Sequence, residues 1–220
     1  LELPELGRPL TPYRWREINT MTISYGHGIA VTPVHLASAI STLVNGGMMY
    51  PTTLLKQDSK SQHRGERVIS QETSDKMRQL MRLVVAHGTG RKAEAKGYVV
   101  GGKTGTAEKQ IGGKYKKSAK ISSFVGAFPI HAPRYVVFAM VDEPVGNKST
   151  FNYATGGWVA APVVKRVVAQ IGPLLGIMPH NSDVEPLDLP VIDKDKKKMK
   201  SDPKLVKRAS VSSGVVREKT

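Results

Sequence analysis

Cysteine is absent from the 220 residues, which excludes disulfides, thiolate metal ligands and a thiol nucleophile. Aromatic residues make up only 6% and are not interleaved with the lysines, so a base-stacking platform for nucleic acid is not expected. No stretch approaches the roughly 18 to 20 apolar residues that a membrane span needs. The opening Leu1-Glu2-Leu3-Pro4 has no initiator Met and no basic region leading into an apolar run, so no signal peptide is expected in this stretch. The six histidines show no pair at ligand spacing, and neither a metal nor a cofactor is expected. Ser-x-Asn occurs nowhere, and Ser-x-x-Lys only as Ser201-Asp202-Pro203-Lys204.

What is present suits one domain with a tail. Apolar residues are 40% of the chain, enough for a real core at this length. The net charge of +15 is unevenly placed: residues 193–220 carry ten Lys or Arg against four Asp or Glu. A second basic cluster, Lys109, Lys114, Lys116, Lys117 and Lys120, reads as one loop. Charge in a tail and a loop, rather than along a helix, does not form a groove-reading surface, and no nucleic-acid partner is expected. Residues 1–178 read as the domain and 179–220 as a polar, Lys-rich tail too poor in apolar residues to order itself.

Local signals place the elements. Leu1 to Thr20 is polar and proline-bearing and reads as an irregular lead-in, and Tyr25 to Val31 as a glycine-hinged extended segment. Thr32-Pro33 opens a helix, with Thr as cap and Pro where a missing N–H costs nothing. Leu36, Ala37, Ile40, Leu43 and Val44 follow at helical spacing, and Asn45-Gly46-Gly47 stops it. Gln57 to Glu66 reads as a surface loop. Ser70 opens a second helix with the stripe Met77, Leu80, Met81, Val84 and Val85, which a core explains better than a cofactor. His87-Gly88-Thr89-Gly90 ends it. The period then changes, giving strands around Gly101–Lys109, Ile121–Phe128 and Tyr135–Val141. Short links between them favour antiparallel pairing, and the unbroken apolar run Tyr135–Val141 suggests cover on both faces. A last helix follows Gly156-Gly157, with Pro162 early and Val159, Val163, Val164, Val167, Val168 and Ile171 on its apolar side.

The chemistry concentrates between Gly97 and Thr106, where two readings compete. Gly97 to Thr104 satisfies the phosphate-loop pattern G-x-x-x-x-G-K-[ST], and Tyr135 to Asp142 could serve as the apolar strand whose Asp holds magnesium. The context opposes a P-loop NTPase. No apolar strand precedes Gly97, Tyr98, Val99 and Val100 are stiff strand formers, and Gly105 and Gly112-Gly113 follow where a helix should begin.

Lys103-Thr104-Gly105 on a strand instead resembles the third motif of the penicillin-binding proteins and serine β-lactamases. Tyr25 to Pro33, His87 to Gly90, Gly101 to Glu108, Ser122 to Pro129, Asp142-Glu143-Pro144 and Thr155 to Pro162 continue the likeness in order and spacing. It covers roughly residues 15–175 and looks closest to the septal, FtsI-like class B members. The resemblance implies an α/β (α+β) transpeptidase fold, here with three antiparallel strands packed with helices and the N-terminal half of the domain absent. It implies a D,D-transpeptidase that cross-links peptidoglycan stem peptides ending in D-alanyl-D-alanine and binds β-lactams. It also implies divisome partners, and a periplasmic domain on an inner-membrane anchor outside this segment. Lys103 would supply positive charge, and the hydroxyls of Thr104 and Thr106 would hydrogen-bond the substrate's terminal carboxylate. Gly105 would let the peptide lie against the strand, and the Thr106 N–H would form half of an oxyanion hole.

The family's nucleophile sits in Ser-x-x-Lys at a helix start, with Ser-x-Asn after it. The Ser201 match lies in the charged tail with Pro203 inside it, so no catalytic residue is assigned, and this chain alone is expected not to acylate. A non-catalytic cell-wall or division module remains a third reading. His27 and His87 read as turn or pocket-wall residues, and Glu108, Asp142 and Glu143 as solvated strand ends. With the family's other strands outside this sequence, the Tyr135–Val141 strand should show an open edge.

Overall fold

In a computed structural model, the structure describes residue 2 and residues 7–57, 64–112, 114–179 and 186–190. Helix α1 (Glu17–Ser24) and helix α2 (Pro33–Val44) lead into a two-residue strand β1 (Met48–Met49), which pairs antiparallel with β2 (Glu66–Arg67). Helix α3 (Gln71–Ala86) follows, then strands β3 (Gly101–Ile111), β4 (Lys114–Phe128) and β5 (Tyr135–Asp142), and helices α4 (Gly156–Val159) and α5 (Ala161–Leu174). Residues 1–189 form one compact unit and 190–220 a second. Of the stretch 179–220 expected as a disordered tail, residues 179 and 186–190 are described, and the rest, Ser201–Lys204 included, lies outside the described residues.

The helix starts follow their caps. Thr32 accepts the His35 N–H at the head of α2, with Pro33 as first helical residue, and Ser70 accepts the Thr73 N–H at the head of α3. Lead-in residues 17–20, expected to be irregular, belong to α1 instead. That helix buries no residue, so it carries no apolar stripe by which it could be recognised.

The larger sheet has the order β3-β4-β5, antiparallel throughout. The basic stretch expected as a loop is mostly strand: Lys109 pairs with Lys116 and Glu108 with Lys120, with an irregularity between Glu108 and Lys109. Ladder pairing holds these lysines extended where their composition alone suggests a solvated loop. Lys109 reaches both Asp142 (3.0 Å) and Glu143 (2.9 Å), so those carboxylates form a local ion triad rather than merely solvated ends.

One sheet face packs Val100, Phe124 and Phe128 against Val164 and Val168 of α5, with Val85 and Tyr98 closing the cluster. A second cluster joins Ala127 and Ile130 to Val44 of α2 and Met81 of α3, with Leu187 packed against it. Leu80, placed in the apolar stripe of α3, is instead 49% exposed. Strand β5 is half-buried rather than covered on both faces, and Met140 is 49% exposed. The cause is position: among the described residues β5 has a strand on one side only, the open edge expected. No described helix is long and apolar enough to cross a membrane.

Candidate functional site

The phosphate-loop reading fails on the backbone. Tyr98, Val99 and Val100 are core residues at 5%, 9% and 0% exposure. The Val100 carbonyl accepts from buried Arg82. From Gly101 the chain runs as strand β3, and among the described residues no α-helix follows Thr104 until Gly156. Side chains committed to the core cannot wrap a triphosphate, and a strand presents no helix N-terminus to an anion.

Gly102 to Thr106 is therefore extended, and β3 is the other edge strand of its sheet. Because successive strand residues point to opposite faces, Thr104 and Thr106 share one face while Lys103 and Gly105 share the other. On the threonine face, the Thr104 hydroxyl lies 3.0 Å from that of Thr89, in the loop after α3. The Thr106 hydroxyl accepts the backbone N–H of Gly156 at 3.1 Å. Lys103 is exposed, and its ammonium donates to the Thr104 carbonyl at 2.7 Å. The structure thus sets the two hydroxyls on one face of the strand and holds the Lys103 ammonium at the Thr104 carbonyl of the same short segment.

Close approach explains the glycines around this face. A Cβ on Gly156 would lie 2.1 Å from the Ser123 carbonyl oxygen and 2.5 Å from that of Gly105. One on Gly157 would lie 2.4 Å from the Thr89 carbonyl oxygen. Only a chain without side chains at both positions can rest against β3 so that its N–H meets Thr106. Gly105 is less tightly constrained, since its Cβ would lie 2.5 Å from Ser123 Oγ, the end of a side chain that can turn away.

Beyond Gly157, Trp158 forms an aromatic group that the sequence reading had not singled out. Tyr153 stacks on it with centroids 5.4 Å apart, Phe151 meets it edge-on at 5.5 Å, and the Lys92 ammonium lies 4.1 Å from its ring centroid. In the sequence Thr89 stands out only within His87 to Gly90, a helix end and one stretch of the family likeness; its link to Thr104 spans 15 residues and leaves no local trace. A groove of about 580 Å³ lies elsewhere, between Pro33, Ala37 and Ser41 of α2, Tyr50 and Phe138 of β5. Its lining contains no acidic, basic or histidine side chain.

Comparisons with known proteins identify the family. The chain is 42% identical to a protein named probable peptidoglycan D,D-transpeptidase FtsI from Caulobacter vibrioides, over 80% of this chain and 32% of that protein. It is 39% identical to stage V sporulation protein D of Bacillus subtilis, over 76% of this chain and 27% of that protein. The chain thus spans about a third or less of the length of these curated relatives. Among solved structures, the transpeptidase domain of penicillin-binding protein 3 from Burkholderia pseudomallei superposes with a TM-score of 0.69 at 37% identity, covering 79% of this chain and 51% of that one. Penicillin-binding protein 3 from Mycobacterium tuberculosis, in complex with ampicillin, gives 0.72 at 25% identity, covering 87% and 46%. Residues 3–169 match the family described as penicillin binding protein transpeptidase domain. The extended Lys-Thr-Gly strand, its α/β surroundings and these matches together make the chain a member of the penicillin-binding protein transpeptidase family.

Proposed function

We propose that this chain is the substrate-gripping part of a serine-type peptidoglycan D,D-transpeptidase of the septal, FtsI-like kind, working at the periplasmic face of the bacterial inner membrane. Its partners are stem peptides ending in D-alanyl-D-alanine, β-lactams and proteins of the division machinery. The observation that carries the reading is the pair of hydroxyls, Thr104 and Thr106, on one face of an edge strand beside the Lys103 ammonium.

A peptide's C-terminal carboxylate needs cationic charge and hydroxyl donors. An open strand edge offers main-chain partners to the peptide behind that carboxylate. On this reading Lys103, Thr104 and Thr106 bind the anion, Gly105 keeps the strand surface flat, and the Thr106 N–H faces the developing oxyanion. The nucleophile of such an enzyme needs a lysine one helical turn away to activate it. In this sequence Ser-x-x-Lys occurs only at Ser201 and Ser-x-Asn does not occur, so the 220-residue chain by itself is expected not to acylate.

Labelling with a fluorescent penicillin tests the reading. The longest chain the gene encodes should be labelled covalently, and Lys103→Ala should slow labelling by at least about tenfold, the worth of a charge-assisted contact. The 220 residues alone should stay unlabelled. A long chain that never labels would point instead to a non-catalytic cell-wall or division module.

A further inference from the structure

Thr89 is not part of the proposed carboxylate grip, yet its hydroxyl sits 3.0 Å from that of Thr104. A threonine hydroxyl has one proton and two lone pairs, whereas a carboxylate can only accept. Once Thr104 donates its proton to a carboxylate, its contact with Thr89 remains a hydrogen bond only if Thr89 is the donor. Thr106 meets the same condition through a different group. The Gly156 N–H already occupies one of its lone pairs at 3.1 Å, leaving the Thr106 proton for a ligand.

The frame behind both donors is fixed. The His87 N–H bonds to Leu83 O, and the Gly88 and Gly90 N–H groups both bond to Val84 O, so the loop carrying Thr89 is wrapped onto the end of α3. Gly157 then packs against the Thr89 carbonyl. Thr89 is held against Thr104 by main-chain contacts on two sides.

Resting on the reading of the strand given above, we infer that Thr89 is a positioning residue. Its hydroxyl donates to Thr104, commits the Thr104 proton outward, and so makes the site favour a peptide ending in a carboxylate over the same peptide ending in a neutral amide. An amide terminus brings one acceptor oxygen and no charge to these protons, and its own N–H can turn only to the single lone pair that each of Thr104 and Thr106 still has free.

The test is a titration of the longest encoded protein, followed by NMR, with acetyl-D-alanyl-D-alanine and with the same dipeptide amidated at its C-terminus. Thr89→Val removes the donor at nearly the same shape, Thr89→Ser retains it, and Thr104→Val removes the grip itself. Thr89→Val should weaken binding of the carboxylate probe roughly two- to tenfold, the worth of one net hydrogen bond, while binding of the amide stays unchanged. Thr89→Ser should bind both probes as the unmodified protein does.

Carboxylate binding unaffected by Thr89→Val, or both probes weakened alike, overturns the inference, because a packing role would not distinguish the two termini. Thr104→Val separates the claims. If it weakens carboxylate binding while Thr89→Val does not, only the role of Thr89 falls. If Thr104→Val also has no effect, or the unmodified protein binds neither probe, the reading of the strand falls with it. Should Thr89→Val unfold, Thr89→Ala supports the same comparison.

Discussion

The Ser74 hydroxyl donates to the Leu43 carbonyl at 2.7 Å and accepts the Gly46 N–H at 3.0 Å, joining the end of α2 to the first turn of α3. Ser74 is fully buried, so both main-chain groups depend on it rather than on water. Ser74→Ala should therefore cost about 1–3 kcal/mol, the penalty for stranding buried polar groups. Urea denaturation should show a lower midpoint with an unchanged slope.

Arg82 controls the approach to β3. Its guanidinium donates to Glu94 at 2.5 Å and to the Val100 carbonyl at 2.9 Å, with the side chain 11% exposed. Val100 immediately precedes the strand that carries Lys103. Arg82→Met should destabilise the fold by about 2 kcal/mol through loss of a charge-assisted bond to a buried carbonyl. Glu94→Gln, at a carboxylate 41% exposed, should cost less than about 1 kcal/mol. Thermal denaturation of the two variants side by side checks the order.

Gly156→Ala should be far worse than an ordinary helix substitution. The added carbon meets two carbonyl oxygens, of Ser123 and Gly105, and neither is a flexible side-chain end. The short helix must move off β3, breaking the Gly156–Thr106 bond. A loss of more than about 2 kcal/mol is expected. In the longest encoded chain it should be accompanied by slower labelling with fluorescent penicillin.

Two ion pairs should shape opposite limbs of the pH–stability curve. Glu143 first, and then Asp142, hold the Lys109 ammonium above the usual lysine range. A pKa raised by folding contributes stability that is complete below the unfolded value and lost as pH rises through the folded one. At Asp75, the Arg78 guanidinium foremost holds the carboxyl below its ordinary value. That contribution is present above the unfolded carboxylate value and lost as pH falls through the folded one. Melting temperatures across pH should show Lys109→Met flattening only the alkaline limb and Asp75→Asn only the acid limb.

The elements that could be read from the sequence were those with a local cause. Thr32-Pro33 and Ser70 state their helix starts because a cap bond spans three residues. The strands at Gly101 and Tyr135 are visible through apolar runs and glycines, and Lys103 to Thr106 through an ordered motif series. The basic hairpin reads as a loop from its lysine composition, because the pairing of Glu108 with Lys120 is decided by ladder bonds between distant residues. Helix α1 has no buried residue to set a period. The contact of Thr89 with Thr104 has no local sign, since only the folded chain sets the two side by side.

Strand β5 ends the sheet with main-chain donors and acceptors from Tyr135 to Asp142 that no described neighbour takes up. Such a margin is a template for any extended segment that comes near. Concentrated solutions of these 220 residues should therefore gather into dimers and larger particles. A short synthetic β-strand peptide that docks there should disperse them.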